Sequence, residues 1–322
     1  MGQARASDGR DAGVTRLLIA GVPRSGTTWV GQALGRTDGA VYVNEPDGDH
    51  DPFAFRARVG RPFPPALAAG DLDPDFERLF AGAFAGGRYA GTPRDRVARR
   101  LYRGVPIADR WRAWLDGSVS PKLRLAAALA VPRVAVPGEH PVIVKSVRSE
   151  LAMEWLVDRF EPRVLLVERN PLNVLASWVE LEYARDPKEA AAVAVHARRR
   201  WDVAPPRADE PRLVHQAFEY GVLAGALRES AARHDDWTVV RHEQLCVDPV
   251  TEFRALVAAL GLTWNASVEE FLTESDREGT GYQTNRRARD QPERWRERLD
   301  AEQVETIRAT LACFPVPLLS DP

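Results

Sequence analysis

Short apolar runs alternate with stretches of helical spacing along this chain. Leu17-Leu18-Ile19-Ala20, Val142-Ile143-Val144, Val164-Leu165-Leu166-Val167 and Trp237-Thr238-Val239-Val240 each end in polar residues, and Val41-Tyr42-Val43 is a shorter fifth run. Continuous apolar runs of this length predict strands covered on both faces, as in a parallel sheet. Helical spacing falls between them. Leu151, Trp155 and Leu156 mark a helix over 150–160. Val174, Leu175, Trp178 and Leu181 mark another, entered through Asn170 as cap and Pro171 as first residue and running to about Tyr183. A long amphipathic stretch covers 213–233, and Phe253, Leu256, Val257 and Leu260 follow Pro249 and stop at Gly261. A last helix is expected over 301–311. The alternation predicts an α/β fold with a mostly parallel sheet of about five strands flanked by helices.

Residues 48–138 break this pattern. Prolines recur through them, aromatic residues are scattered, and only 72–84 and 97–115 carry helical spacing. They are expected to form an irregular, largely helical insertion, which serves either as a binding lid or as a packed cap. The acidic run from Asp47 to Asp51 lacks a calcium-loop pattern and reads as a solvated turn. Residues 1–15 are expected to be disordered, leaving 16–322 as one domain.

Composition narrows the classes without choosing among them. A net charge of −2 over 322 residues gives no case for nucleic acid. Only Lys122, Lys145 and Lys188 are lysines among 44 basic residues, as expected of a GC-rich bacterial genome, so arginine richness alone says little about phosphate. Cys246 and Cys313 are not in metal-ligand spacing and are expected to be reduced. The most apolar stretch, 125–136, is interrupted by Pro132 and Arg133 and is too short to span a bilayer. A cytoplasmic protein without membrane or nucleic-acid partners is expected; its oligomeric state is left open.

The chemistry begins at Gly21-Val22-Pro23-Arg24-Ser25-Gly26-Thr27-Thr28-Trp29. A glycine-bounded loop between strand and helix makes a cradle for an anion from amides and a helix N-terminus. Gly21, Gly26 and Thr28 match the spacing of the nucleoside-triphosphate loop, but Thr27 stands in place of its lysine and the cation comes earlier, at Arg24. Other charged residues leave the carboxyl ends of the strands, where open α/β sheets bind ligands. Glu45, within Glu45-Pro46, follows strand two; it is either a catalytic carboxylate or a turn residue, and Pro46 predicts an extended conformation for it. Lys145 follows strand three. Arg169 follows strand four, with Ser177 two turns up the next helix and Asn173 on its face. Arg286, Arg287 and Arg289 crowd a loop that either closes over an anion or is simply exposed.

Pro23-Arg24-Ser25-Gly26-Thr27-Thr28-Trp29 resembles the 5′-phosphosulfate loop of sulfotransferases that use 3′-phosphoadenosine 5′-phosphosulfate (PAPS). Arg169-Asn170-Pro171 with Ser177 resembles their 3′-phosphate motif, and Val240-Arg241-His242-Glu243-Gln244-Leu245 through Asp248-Pro249 resembles their next strand and helix. The likeness covers roughly 16–46 and 142–311; the insertion is unmatched. It implies that Arg24, Ser25, Gly26, Thr27 and Thr28 hold the 5′-phosphosulfate, that Arg169 and Ser177 hold the 3′-phosphate with Arg286 and Arg287 completing that site, and that Trp29 stacks on adenine. Trp29 is otherwise a core residue of the helix.

Two departures decide the branch. Phenol and steroid sulfotransferases carry lysine where this chain has Arg24, and a catalytic histidine where it has Val147, two residues after Lys145. The pattern is closer to the carbohydrate and protein-tyrosine branches, where a glutamate after strand two is the base; Glu45 matches it. The resemblance therefore implies in-line sulfuryl transfer to a hydroxyl of a small-molecule, natural-product or carbohydrate acceptor, with Glu45 as general base, Arg24 and Lys145 stabilising charge, and no metal. The alternatives are a P-loop nucleotide-dependent kinase and a non-catalytic nucleotide-binding protein.

Overall fold

The computed structural model describes residues 16–48, 50–59, 61, 65–183, 187–277 and 287–316. The expectations for residues 1–15 and for Arg286 lie outside the described residues.

Five parallel strands form one sheet in the order β2-β3-β1-β4-β5. They are β1 (Arg16–Ala20), β2 (Val41–Asn44), β3 (Val142–Lys145), β4 (Arg163–Glu168) and β5 (Thr238–Arg241). The five apolar runs of the sequence are these five strands. Side chains alternate across the sheet, as a two-residue period requires. Leu17 and Ile19 of β1 join one core with Ile143, Leu165 and Val167. Leu18 and Ala20 join the other with Val144, Val164 and Leu166. The first core is closed by α1 (Thr27–Leu34), α12 (Pro249–Ala259) and α13 (Ala266–Ser275). The second is closed by α7 (Met153–Phe160), α8 (Pro171–Glu180), α9 (Pro187–Trp201), α10 (Arg212–Ala231) and α14 (Ala301–Leu311). A single-turn helix, α11 (His242–Leu245), follows β5.

Strand order locates the site. The chain leaves β1 towards β2 on one side, while it leaves β4 towards β5 on the other. Neighbouring strands whose outgoing connections diverge leave a crevice at their carboxyl ends. The loop after β1 and the Arg169 segment after β4 flank that crevice.

The insertion is more regular than its prolines suggest. It holds α2 (Pro52–Arg58), α3 (Pro74–Phe84), α4 (Pro93–Arg103), α5 (Ile107–Asp116) and α6 (Pro121–Leu129). Four of them begin on a capping residue followed by proline: Asp51-Pro52, Asp73-Pro74, Thr92-Pro93 and Ser120-Pro121, each cap accepting from a backbone amide. Proline at a first helical position costs nothing, since its missing donor would be unpaired there anyway. The periodic stretch over 97–115 is two helices, divided at Gly104-Val105-Pro106. A satellite core of Phe55, Tyr102, Val105, Ala113, Leu123 and Ala126 holds the insertion together.

Two acids of the run after Glu45 are not solvated. Asp47 and Asp51 are both buried. Asp51 caps α2 through the Phe53 amide at 2.8 Å and pairs with Arg133 at 3.4 Å. Charge alone suggested exposure; the capping role and the arginine partner reverse it.

Candidate active site

The loop after β1 is shaped by two left-handed residues, Arg24 at φ 75° and Gly26 at φ 95°. The Ser25 amide closes a turn on the Val22 carbonyl at 3.0 Å, and the Val30 amide makes the first helical bond to Gly26 at 3.1 Å. No side chain caps α1, so its first amides point into the crevice without an intrahelical partner. Buried Trp178 braces the loop from below, its indole donating to the Pro23 carbonyl at 3.0 Å. Gly26 has no room for a side chain: a Cβ would stand 2.2 Å from His242 Cδ2. Gly26→Ala is expected to cost roughly 2–4 kcal/mol from left-handed strain and overpacking. Thermal unfolding of the variant checks this, and nucleotide affinity should fall with it.

The anion residues after β1 and β4 come together. Arg24 Nε donates to Ser177 Oγ at 3.0 Å, and Arg169 Nη1 donates to the Arg24 carbonyl at 3.0 Å. They line a cleft of about 370 Å3 together with Asn173, Arg294 and Arg298. Four guanidinium groups face one carboxylate there, Glu180, which pairs with Arg298 at 2.7 Å. Such a cleft is built for an anion with several oxygens. Burial pulls the Arg169 pKa down to about 10, against the opposing pull of Glu243, so the group stays charged at neutral pH.

Arg294 and Arg298 were not singled out in the sequence. They belong to the turn Arg294–Glu297 and its end, held against α8 by Asn173. Asn173 donates to the Pro292 carbonyl at 2.7 Å and accepts from the Trp295 amide at 3.0 Å. The i, i+4 spacing of the two arginines was the available signal, but it needs the clamp by Asn173 to give it a direction. Arg287 is exposed and does not line this cleft.

A second hollow, of about 490 Å3, lies on the other side of Arg169, between the β1 loop, β4 and α10. Ser25 Oγ, Arg169 Nε and Glu243 Oε2 border it as buried atoms with no hydrogen-bond partner among the described residues. Buried polar atoms are ordinarily satisfied, so these three leave capacity for a bound group. A phosphorylated adenosine fits this donor set: arginines and amides for its phosphates, with Ser25 and Glu243 able to take part in polar contacts beside them. Trp29 is half-buried. Its indole donates to Ser275 Oγ at 3.2 Å, and its ring meets Phe253 edge-on with centroids 4.8 Å apart.

Glu45 and Lys145 lie at the carboxyl ends of β2 and β3, on the opposite side of β1 from Arg169. Asn44 and Lys145 are partners across β2 and β3, so the next residue, Glu45, meets Lys145 at the sheet edge. The Glu45 amide donates to the Lys145 carbonyl at 2.7 Å, and Lys145 Nζ donates to Glu45 Oε1. Lys145 is fully buried, while about a quarter of the Glu45 side chain stays open to solvent. Glu45 is not extended as Pro46 suggested. Its φ is 42°, and its carbonyl accepts from the Gly48 amide at 2.9 Å. Proline disfavours the right-handed helical region for the residue before it, and this turn takes the left-handed one instead. Burial pushes the Glu45 carboxyl up, but Lys145, Arg148 and His50 outweigh it and hold it below the usual glutamate range.

Cys246 is buried beside His242, with Sγ 3.7 Å from Nδ1. Burial raises the thiol to about 12 and drives the imidazole well down, so the pair is neutral packing behind the loop.

No protein-family profile matches the chain, and no curated protein does. Sulfotransferases are among its structural neighbours. The sulfotransferase domain from the curacin biosynthetic pathway superposes with a TM-score of 0.46 at 11% identity, over 94% of this chain and 99% of that one. A sulfotransferase of Mycobacterium tuberculosis gives 0.41 at 12% identity, over 94% and 77%. A mouse sulfotransferase in complex with PAP gives 0.39 at 13% identity, over 92% and 82%. These three scores lie below 0.5, so they carry no argument about function. Among the described residues no helix is long and apolar enough to cross a membrane.

Proposed function

We propose that this protein is a PAPS-dependent sulfotransferase that moves a sulfuryl group to a hydroxyl of a small-molecule, natural-product or carbohydrate acceptor. The observation that carries this reading is the junction of the two anion motifs, Arg24 with Ser177 and Arg169 with the Arg24 carbonyl, at the edge of a four-arginine cleft. A ligand with two separately charged ends needs two such motifs side by side. A nucleoside triphosphate needs the loop lysine, and buried Thr27 occupies its place.

The residues divide the work. The amides of Ser25 to Thr28 with Arg24 would hold the 5′ end, and Arg169, Ser177, Arg294 and Arg298 the 3′-phosphate. Bound PAPS would supply the sulfuryl group. Glu45 takes the proton from the acceptor hydroxyl at its free carboxylate oxygen, while its other oxygen stays on Lys145 Nζ. The ion pair orients the base but weakens it. Any anion that competes for Lys145 Nζ makes Glu45 more basic, which couples charge developing near the lysine to proton removal.

The test is a mass-spectrometric screen of hydroxylated phenols, sugars and carboxylated natural products incubated with PAPS and the protein. A mass gain of one SO3 on at least one acceptor, lost in Glu45→Gln, is expected. PAPS binding without transfer to any acceptor would instead favour a non-catalytic nucleotide-binding protein.

A further inference from the structure

Two rungs join the exits of β2 and β3. One is the Glu45–Lys145 pair. The other lies directly behind it, where Ser146 Oγ donates to Asp47 Oδ2 at 2.7 Å. The reading of Glu45 as base uses only the first rung. Asp47 is completely buried, and its Oδ1 has no hydrogen-bond partner among the described residues. Burying a carboxylate on so few donors is unfavourable, because the charge loses its water without a full set of replacements. Burial and the nearby Glu45 carboxylate raise its pKa, with Ser146, Arg148 and Arg58 opposing. A group this costly, two residues from a strained turn, calls for a reason other than stability.

The contacts supply one. Glu45 sits in a left-handed conformation that is strained for a residue with a side chain and persists only where its surroundings enforce it. The turn is enforced from its far end. Ser146 Oγ, which holds Asp47, also accepts from Ser149 Oγ at 2.9 Å and from the Arg148 amide at 3.2 Å. The Asp47 carbonyl accepts from Arg58 Nη1 at 3.0 Å. Arg58 in turn pairs with Glu189 of α9 at 3.2 Å, with both side chains buried, and Arg148 reaches the same carboxylate at 3.8 Å. The chain of contacts runs from α9, through the first helix of the insertion, to the turn that carries Glu45.

We infer that Asp47 is the positioning residue for Glu45: through Ser146 and Arg58 it fixes the turn in which the Glu45 carboxylate meets Lys145. The inference rests on the reading of Glu45 as base, and the insertion thereby acts on the chemistry as well as on the acceptor. Asp47 touches neither acceptor nor nucleotide. Its loss should lower kcat, leaving PAP affinity and acceptor KM in place. Because Asp47 works through an oxygen that accepts from Ser146 Oγ, and asparagine keeps such an oxygen in the same place, Asp47→Asn should serve almost as well as the natural residue.

The three lysines make a direct test possible. In the full-length protein labelled with 15N lysine at Nζ, side-chain ammonium signals come from Lys122, Lys145 and Lys188 alone. The Lys145 signal, identified by its loss in Lys145→Arg, should show slowed proton exchange at neutral pH because the group is buried and paired. In Asp47→Ala and in Ser146→Ala, that exchange should speed up about tenfold or more, with kcat falling by a similar factor. Asp47→Asn should restore both. Ser146→Ala removes a single hydroxyl, so it keeps the test decisive should Asp47→Ala fail to fold. Folded variants with a lowered melting temperature but unchanged Lys145 exchange would overturn the inference and leave Asp47 a packing residue. A wild-type protein that shows the exchange pattern yet transfers nothing from PAPS would overturn the functional reading instead.

Discussion

Arg169→Ala should raise the dissociation constant for PAP by about tenfold to a hundredfold, the range for losing a charge-assisted hydrogen bond of roughly 1.5–3 kcal/mol. The same substitution should matter less for adenosine 5′-monophosphate, which lacks the 3′-phosphate. Two losses combine. The guanidinium leaves the cleft, and the Arg24 carbonyl loses its 3.0 Å donor, which loosens a loop held at φ 75°. Arg169→Lys should not rescue fully, because an ammonium cannot hold the Arg24 carbonyl and a phosphate with the geometry of a planar fork. Equal affinity of wild type and Arg169→Ala for PAP, measured by calorimetry, would remove Arg169 from the site.

Glu45→Gln should cut kcat by about 10²–10⁴-fold, the usual contribution of a general base, without changing PAP affinity. Glutamine keeps an oxygen that can accept from Lys145 Nζ, so the turn should survive. The pH dependence has a definite sign. The base must be ionised, and its folded pKa lies below the ordinary value of 4.5. The acidic limb of kcat/KM, which reports the free enzyme, should therefore fall below that value in the wild type. The stability contributed by the same ionisation is present above the unfolded pKa and is lost as pH falls through the folded one. Turnover unchanged in Glu45→Gln would require another base.

How much of this was legible in the sequence differs from element to element. The five strands were, because parallel strands covered on both sides must be apolar throughout. The loop after β1 and the Arg169–Ser177 pair were, because their spacing along the chain survives folding: a strand, a turn and a helix set the distances locally. The insertion was legible only as largely helical: the stretches over 72–84 and 97–115 carry helices as expected, while α2 and α6 were not foreseen. Its prolines read as breaks, yet four of them start helices, and the cap-proline pairs Asp51-Pro52, Asp73-Pro74, Thr92-Pro93 and Ser120-Pro121 were the overlooked signal. Asp47 read as a solvated acid because its partners, Ser146 and Arg58, are distant in sequence or lie in the insertion. Arg294 and Arg298 were hidden for the same reason: only the Asn173 clamp turns that segment towards α8. Local rules reached Glu45 as a candidate but gave its conformation wrongly, since its left-handed turn is set by Lys145, Gly48 and Asp47 together.

Two neighbouring anion motifs, suited to an adenosine charged at both ribose ends, are the centre of the proposed site. Titration calorimetry of the wild-type protein with PAP, and separately with ATP and Mg2+, tests this most directly. Tight, metal-independent binding of PAP with much weaker binding of ATP is the predicted result; ATP with Mg2+ binding as tightly as PAP, or more tightly, would contradict it.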